Sequence, residues 1–213
     1  MVGKTIEVDV VSDVICPWCW VGKKNLDAAI TSAADEFDVT VRWHPFFLRP
    51  DTPKEGRPKA PDTPDNPRVG ARLRAAGARA GIDFTGKTDR TPNTLLAHRA
   101  LHYAAKADAA ASPGGGNKGV QHELQERIFQ GYFTDGAFPD LENLSRWVGE
   151  VGLDGGKVRA YLASDEDEGA VTREALGHAR AGINGVPTFF VNGKMAFSGG
   201  QPPDAFLREF RMQ

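Results

Sequence analysis

The chain has 213 residues, of which 40% are hydrophobic and 25% are charged, and its formal net charge is −2. This composition is typical of a globular protein with a sizeable core, and the small net charge gives no global attraction to nucleic acid or to an anionic membrane. The sequence has no apolar window long enough for a membrane span, and its charged, alternating N-terminus is unlike a signal peptide. We therefore expect a cytoplasmic protein with neither nucleic acid nor membrane as a partner.

The first elements form a strand–helix–strand pattern. Glu7 to Val14 alternates and is rich in valine, which predicts a strand, and Phe37 to Leu48 predicts a second one. Between them, Trp20 to Ile30 has apolar residues at helical spacing. A helix of this length can connect two parallel strands by a right-handed crossover.

The middle of the chain is predicted to be helical. Arg49 to Arg68 is rich in proline and polar residues and indicates an exposed loop, and Ala109 to Gly119 indicates a flexible connector. Asp140 and Asp154 are candidate helix N-caps. The predicted helices are Asn66–Ala80, Pro92–Ala107, Gln121–Tyr132, Leu141–Val151 and Lys157–Arg180, the last one broken near Ser164.

Strand character returns near the end of the chain. Thr188–Asn192 and Lys194–Ser198 are predicted strands, and the Asn192-Gly193 dipeptide favours a two-residue hairpin turn. Pro203 to Met212 predicts a final short helix.

The two cysteines, Cys16 and Cys19, lie three residues apart between the first strand and the first helix. The positive end of a helix dipole and its unpaired N–H groups stabilise a thiolate, which is the reactive form of cysteine. We predict that Cys16 is the attacking nucleophile and Cys19 the resolving thiol, and that Pro17 and Trp18 tune the pair. The alternative for the two cysteines is an inert or metal-binding role.

No metal site is predicted from the sequence. A structural zinc site needs four ligands, and the chain has no second cysteine pair. His98 and His102 lie four residues apart on a predicted helix and so share one face of it, but such a pair is more often part of an ordinary surface or core than a metal site.

Taken together, these motifs resemble the DsbA family of thioredoxin-fold oxidoreductases, and in particular its cytoplasmic FrnE-like branch. The resemblance covers almost the whole chain. Its motifs are Asp13–Cys19, Trp43–Pro50, Asn93–Arg99, Gln125–Thr134, Gly185–Phe189 and Ser198–Pro203.

The resemblance implies an α/β fold with a thioredoxin-like core and a large all-helical insertion. Residues 1–65 and 182–213 would form the thioredoxin-like domain, and residues 66–181 the insertion. It also implies a cis bond between Val186 and Pro187 beside the cysteines, where the Val186 backbone would bind the substrate. Some relatives have a second cysteine pair that this chain lacks, and the best-known periplasmic oxidant of the family has histidine at the place of Trp18.

The function expected from this resemblance is thiol–disulfide exchange on a protein or small-molecule substrate. No cofactor is required, although glutathione could serve as a co-substrate. The resemblance leaves open whether the protein forms a homodimer. The same fold hosts glutathione-dependent hydroxychromene-carboxylate isomerases and kappa-class glutathione transferases, which do not need a resolving cysteine.

A third hypothesis is a non-catalytic accessory protein of polyketide biosynthesis. It would use Trp18, Trp20, Phe46 and Phe47 as a docking surface, although most aromatic residues at such spacing belong to a core.

Two polar residues remain candidates for the site. His44 lies on the strand beside the cysteine turn, where a strand histidine with a hydrogen-bond partner is the alternative to a proton shuttle. Asp13 would hold the turn or influence Cys19.

Overall fold

A computed structural model describes residues 3–60, 63, 65, 67–111 and 119–213 of the chain. Its main sheet has four strands in the order β2-β1-β5-β6, and a second sheet pairs the two-residue strands β3 and β4. The strands are β1 (Lys4–Ser12), β2 (Phe37–Pro45), β3 (Arg57–Pro58), β4 (Arg90–Thr91), β5 (Thr188–Val191) and β6 (Lys194–Ser198).

Eight α-helices and one π-helical turn, Gly131–Asp135, accompany these strands in the described residues. The helices are α1 (Pro17–Ser32), α2 (Ala71–Arg79), α3 (Leu95–Ala111), α4 (Val120–Gln130), α5 (Leu141–Glu150), α6 (Gly155–Ala163), α7 (Glu168–Arg180) and α8 (Pro203–Arg211). None of the helices in the described part of the chain could span a membrane.

The main sheet is mixed, and its topology confirms the predicted α/β fold class. β1 runs parallel to β2, with α1 as the crossover, and antiparallel to β5, which pairs antiparallel with β6. Asn192 and Gly193 have φ values of 48° and 76°, as a two-residue turn of the mirror-image type requires. The alternation predicted for β1 places Ile6, Val8 and Val10 in the core, each at most 1% exposed.

Between β2 and β5, several helix ends lie where the sequence predicts them. Asp140 and Asp154 cap α5 and α6 by accepting the N–H groups of Asn143 and Lys157. The predicted break near Ser164 separates α6 from α7. The division of the chain at residues 66 and 181 into two domains stays a prediction.

Other boundaries differ from the prediction. The proline-rich segment after β2 is not entirely irregular, since β3 pairs with β4 and adds a two-residue ladder to the otherwise helical segment. α3 continues to Ala111, so the predicted connector begins later, and its residues 112–118 lie outside the described residues. The predicted start of α2 at residue 66 also lies outside them, and the described helix begins at Ala71.

Candidate active site

Cys16 and Cys19 lie at the N-terminus of α1. Cys16 is the N-cap residue with an extended backbone, and Pro17 occupies the first turn, where its missing N–H leaves no helix hydrogen bond unmade. The Cys19 N–H donates to the Cys16 carbonyl at 3.0 Å. Both residues are unpaired thiols; Cys16 is 5% exposed and Cys19 is fully buried. The turn therefore presents one sulfur at its edge and holds the other beneath it.

The two thiols have pKa values shifted in opposite directions. The hydrogen bond from the Cys19 thiol holds the pKa of Cys16 below its usual value, against the effect of burial, and the N–H groups at the helix start act in the same direction. Burial raises the pKa of Cys19 well above its usual value, and the neighbouring Cys16 raises it further. Cys16 is thus the thiol that ionises first, while Cys19 keeps its proton.

The Val186–Pro187 peptide bond is cis, in agreement with the expectation, and it lies directly beside Cys16. In its thiol form, Cys16 donates a hydrogen bond to the Val186 carbonyl over an Sγ–O distance of 3.4 Å. Gly22 of α1 allows this approach, because a Cβ atom there would lie 3.1 Å from Pro187 Cγ and 3.0 Å from Phe189 Cζ. The segment before β5 is thus packed against the helix that presents the cysteines.

Trp18, the second residue between the cysteines, is half-buried. Its carbonyl oxygen would lie 3.2 Å from a Cβ atom at Gly200, so the loop after β6 passes closely over the cysteine turn. The guanidinium carbon of Arg72 lies 5.4 Å from the Trp18 ring centroid, within range of a cation–π contact. Trp18 therefore joins the cysteine turn to α2.

Asp13 lies behind the cysteine turn and is fully buried. One carboxylate oxygen accepts the Leu48 N–H at 2.8 Å, and the other accepts the Ile15 N–H at 3.5 Å and lies 3.4 Å from His98 Nε2. The negative charge of Asp13 raises the pKa of Cys16 and so opposes the hydrogen bond from Cys19. Asp13 thus fixes the turn and also acts on the sulfur.

A comparison with models of protein families shows to which family the chain belongs. A family model described as a DSBA-like thioredoxin domain matches residues 7–211. The chain belongs to this DSBA-like thioredoxin family. Its members act on thiol and disulfide substrates, which agrees with a cysteine pair placed at the start of a helix.

Three similar proteins extend this finding. YwbO, an uncharacterised protein of Bacillus subtilis, is 32% identical over 206 residues, which are 95% of this chain and 94% of YwbO. The crystal structure of a probable DsbA oxidoreductase from Streptomyces coelicolor, SCO1869, is 27% identical, has a TM-score of 0.78, and is matched over 97% of this chain and 89% of that one. A 2-hydroxychromene-2-carboxylate isomerase structure, at 20% identity and a TM-score of 0.66 over 97% and 94% of the two chains, shares the fold.

A basic cavity of about 220 Å³ adjoins the cysteine turn of this DSBA-like protein. Ile15 and Pro17, which flank Cys16, form one side of it. Arg49, Lys59 and Arg68 contribute the positive charges of its lining. Burial, together with the charge of Arg68, lowers the pKa of Lys59 to about 8. The cavity therefore offers an electrostatically favourable place for an anionic group close to the thiolate.

His44 on β2 is held between two carboxylates. Its Nε2 atom lies 2.9 Å from Asp9 Oδ1, and its Nδ1 atom lies 2.8 Å from Glu174 Oε1 on α7. Burial alone would lower the pKa of His44, but the two carboxylates outweigh it and raise the pKa to about 9. Both ring nitrogens of His44 therefore have carboxylate partners, and its role as a proton shuttle stays a prediction.

Two polar groups near the cysteines were not predicted as site residues. His98, considered only as half of a metal pair, approaches Asp13 instead, while His102 lies 3.7 Å from Asp167. Ser12 is buried beside Cys19, where its hydroxyl lowers the pKa of that thiol. A serine at the end of a strand and a histidine inside a helix carry no sequence signal for this role, since only tertiary packing brings them to the turn.

The aromatic residues around the turn do not form one exposed surface. Trp20 and Phe46 are 4% and 7% exposed, and the Trp20 ring stacks on Phe129 and Phe133. Trp18 and Phe47 are half-buried. The residues considered as a docking surface for an accessory role therefore belong largely to the core, as large apolar residues usually do.

Proposed function

We propose that this protein carries out thiol–disulfide exchange, with Cys16 as the attacking thiolate and Cys19 as the resolving thiol. The observation that carries the proposal is the placement of Cys16 at the N-cap of α1, with its sulfur 3.4 Å from the Val186 carbonyl oxygen and with Cys19 buried one turn further into the helix. The opposite directions of the two pKa shifts agree with these roles. A nucleophile must be ionised at neutral pH, whereas a resolving thiol is most useful when it stays protonated until the mixed disulfide has formed.

The proposed reaction proceeds in two balanced steps. The Cys16 thiolate attacks one sulfur of a substrate disulfide, so that a Cys16–substrate disulfide forms and the other substrate sulfur leaves as a thiolate. Cys19 then loses its proton and attacks Cys16 Sγ, which forms the Cys16–Cys19 disulfide and releases the second substrate thiolate. The substrate gains two electrons and the enzyme loses two; the reverse sequence oxidises a dithiol.

The Val186 backbone supports a role in holding the substrate. Its carbonyl lies against the Cys16 sulfur, at the segment that leads into β5. An extended chain that paired with this segment would gain main-chain hydrogen bonds and would bring its own sulfur to Cys16. We assign substrate binding to Val186 and Pro187 on this basis.

The basic cavity favours a substrate or co-substrate with carboxylates. A guanidinium group and a carboxylate form strong, charge-assisted hydrogen bonds, and Arg49 and Arg68 lie in the lining. Glutathione combines a thiol with two carboxylates in one small molecule. We therefore propose glutathione, or a peptide of similar charge, as the partner thiol.

The decisive experiment follows the reduction of oxidised glutathione and of a peptide disulfide by reduced protein. We expect Cys16→Ser to abolish the reaction and Cys19→Ala to stop after one step, with a substrate-sized mass attached to Cys16 in intact-mass spectrometry. Equal rates for wild type and Cys16→Ser would overturn the proposal. A Cys19→Ala variant that turns over a chromene-carboxylate substrate with glutathione would assign the protein to the glutathione-dependent isomerases instead.

Two wider expectations accompany this function. We propose the cytoplasm as its location, where a small thiol such as glutathione is abundant, and detection of the tagged protein in cell fractions tests this. A homodimer is a further prediction, which light scattering of the purified protein tests directly. A non-catalytic accessory role would require Cys16 to react with an alkylating reagent no faster than a free thiol does.

A further inference from the structure

Three potential metal ligands meet where the main sheet contacts the helical segment. His44 comes from β2, and Glu174 and His178 come from α7, one helical turn apart and so on one face of that helix. One ligand atom from each lies within 4.8 Å of the other two. Glu174 Oε1 is 2.8 Å from His44 Nδ1 and 3.9 Å from His178 Nε2.

These separations approach those of a metal centre. Bonds of 2.0–2.1 Å in a tetrahedral zinc site place neighbouring ligand atoms about 3.3 Å apart. The Glu174–His44 distance is shorter than this value, the Glu174–His178 distance is longer, and the ligand nitrogens of the two histidines lie within 4.8 Å of each other. Side-chain movements of about one ångström, which partly exposed groups can make, would bring the three atoms to the separations of a zinc site.

The second hydrogen bond of His44 supports this interpretation. Its Nε2 atom lies 2.9 Å from Asp9 Oδ1, and the same carboxylate oxygen accepts Arg42 Nε at 3.0 Å. Histidines that bind metals commonly donate their other ring N–H to a carboxylate, which fixes the orientation of the ring. With Nε2–H held by Asp9, the Nδ1 atom of His44 faces the other two ligands.

His178 provides an independent observation. Its Nε2 atom is buried and has no hydrogen-bond partner among the described residues, although the ring as a whole is 26% exposed. A buried polar atom without a partner is unfavourable, and it commonly marks a place where an ion or a water molecule binds. This nitrogen points to the side where the other two ligand atoms lie.

We propose that His44, Glu174 and His178 bind a divalent transition-metal ion, for which Zn²⁺ is the best match. Two imidazole nitrogens and one carboxylate oxygen form a ligand set that Zn²⁺ favours, with water in the fourth position. Binding displaces the Nδ1 proton of His44, so that Glu174 exchanges a hydrogen bond for a metal bond. Because 130 residues separate His44 from Glu174, the ion would tie α7 to the main sheet.

The test uses Zn²⁺ alone and a Cys16→Ser/Cys19→Ser background, since a cysteine pair can bind zinc by itself. Isothermal titration calorimetry should give one Zn²⁺ per chain, and the Tm should rise on addition of Zn²⁺. His178→Gln in this background should lower the affinity at least tenfold. His102→Gln is the matched control, because His102 is a partly exposed helical histidine with a carboxylate partner of its own, and it should bind as the background does.

Two results would overturn the proposal. One is the absence of Zn²⁺ binding in the double-serine background. The other is equal affinity in the His178→Gln and His102→Gln variants. Circular dichroism verifies that each variant is folded, and Glu174→Gln, which removes one ligand oxygen with little change of shape, replaces His178→Gln if that variant does not fold. The site is separate from the cysteine pair, so its failure leaves the proposed function standing.

Discussion

The Val186 carbonyl oxygen lies 3.4 Å from the Cys16 sulfur, although 170 residues separate them in the chain. The contact joins the segment before β5 to the start of α1. It exists because β1, which leads into the cysteine turn, pairs with β5 in the main sheet. The position of the reactive sulfur therefore depends on packing between α1 and β5 as much as on the local helix terminus.

Gly22 is the residue on which this packing depends most directly. Gly22→Ala would place its Cβ 3.0 Å from Phe189, which is fully buried, and should lower the free energy of unfolding by about 1–3 kcal/mol. Disulfide exchange should also slow, because Pro187 is displaced. Gly177→Ala is the control: open space surrounds Gly177 in α7, so alanine should stabilise by about 0.5–1 kcal/mol. Urea denaturation measures both, and a Gly22→Ala variant as stable as wild type would contradict the prediction.

The hydrogen bond from Cys19 is expected to control the ionisation of Cys16. Cys19→Ala removes the donor, and the pKa of Cys16 should rise toward its usual value. Cys19→Ser keeps a hydroxyl donor at the same place and should shift the pKa less. The pH dependence of Cys16 alkylation by iodoacetamide measures all three proteins. Identical profiles for the alanine variant and wild type would show that the helix terminus alone sets the ionisation.

The charge of Asp13 acts on Cys16 in the opposite direction. Asp13→Asn removes this charge, so the pKa of Cys16 should fall and alkylation below neutral pH should become faster. The same change replaces one acceptor oxygen of a buried carboxylate, which accepts the Leu48 and Ile15 N–H groups, by an NH₂ group and should cost about 1–3 kcal/mol of stability. Asp35→Asn, a change of an exposed carboxylate beyond the end of α1, should alter neither quantity. A slower alkylation of Asp13→Asn would reverse the assigned sign.

Local sequence signals were sufficient for the strand–helix turn, the two aspartate caps and the hairpin at Asn192-Gly193. Each depends on residues within one turn of one another, so its physics can be read from a short window. The same holds for the cysteine pair, whose spacing alone places the sulfurs together. The fold class then followed from the order of these elements and from the resemblance carried by their motifs.

The orientation of His44 could not be predicted in this way. A strand places alternate side chains on opposite faces, but which helix covers a face is decided by tertiary packing. The contact between His44 and Glu174 depends on where α7 packs, and no local sequence pattern predicts that position. The approach of His98 to Asp13 likewise joins α3 to the cysteine turn across 85 residues of chain, a separation that no local pattern encodes.

Lys59 provides a test of the proposed anionic ligand through its pH dependence. Its pKa is lowered to about 8, so its positive charge is present below pH 8 and is lost as the pH rises through that value. Binding of S-methylglutathione, which cannot react with the cysteines, should weaken over the same interval. Lys59→Met should weaken binding about tenfold below pH 8, as expected for the loss of one charge-assisted hydrogen bond, whereas Lys59→Arg should bind equally well on both sides of pH 8, because a guanidinium keeps its charge. The exposed Lys54→Met is the control, and calorimetry measures each affinity. Unchanged binding in Lys59→Met would remove the basic cavity from the substrate site while leaving the roles of the two cysteines intact.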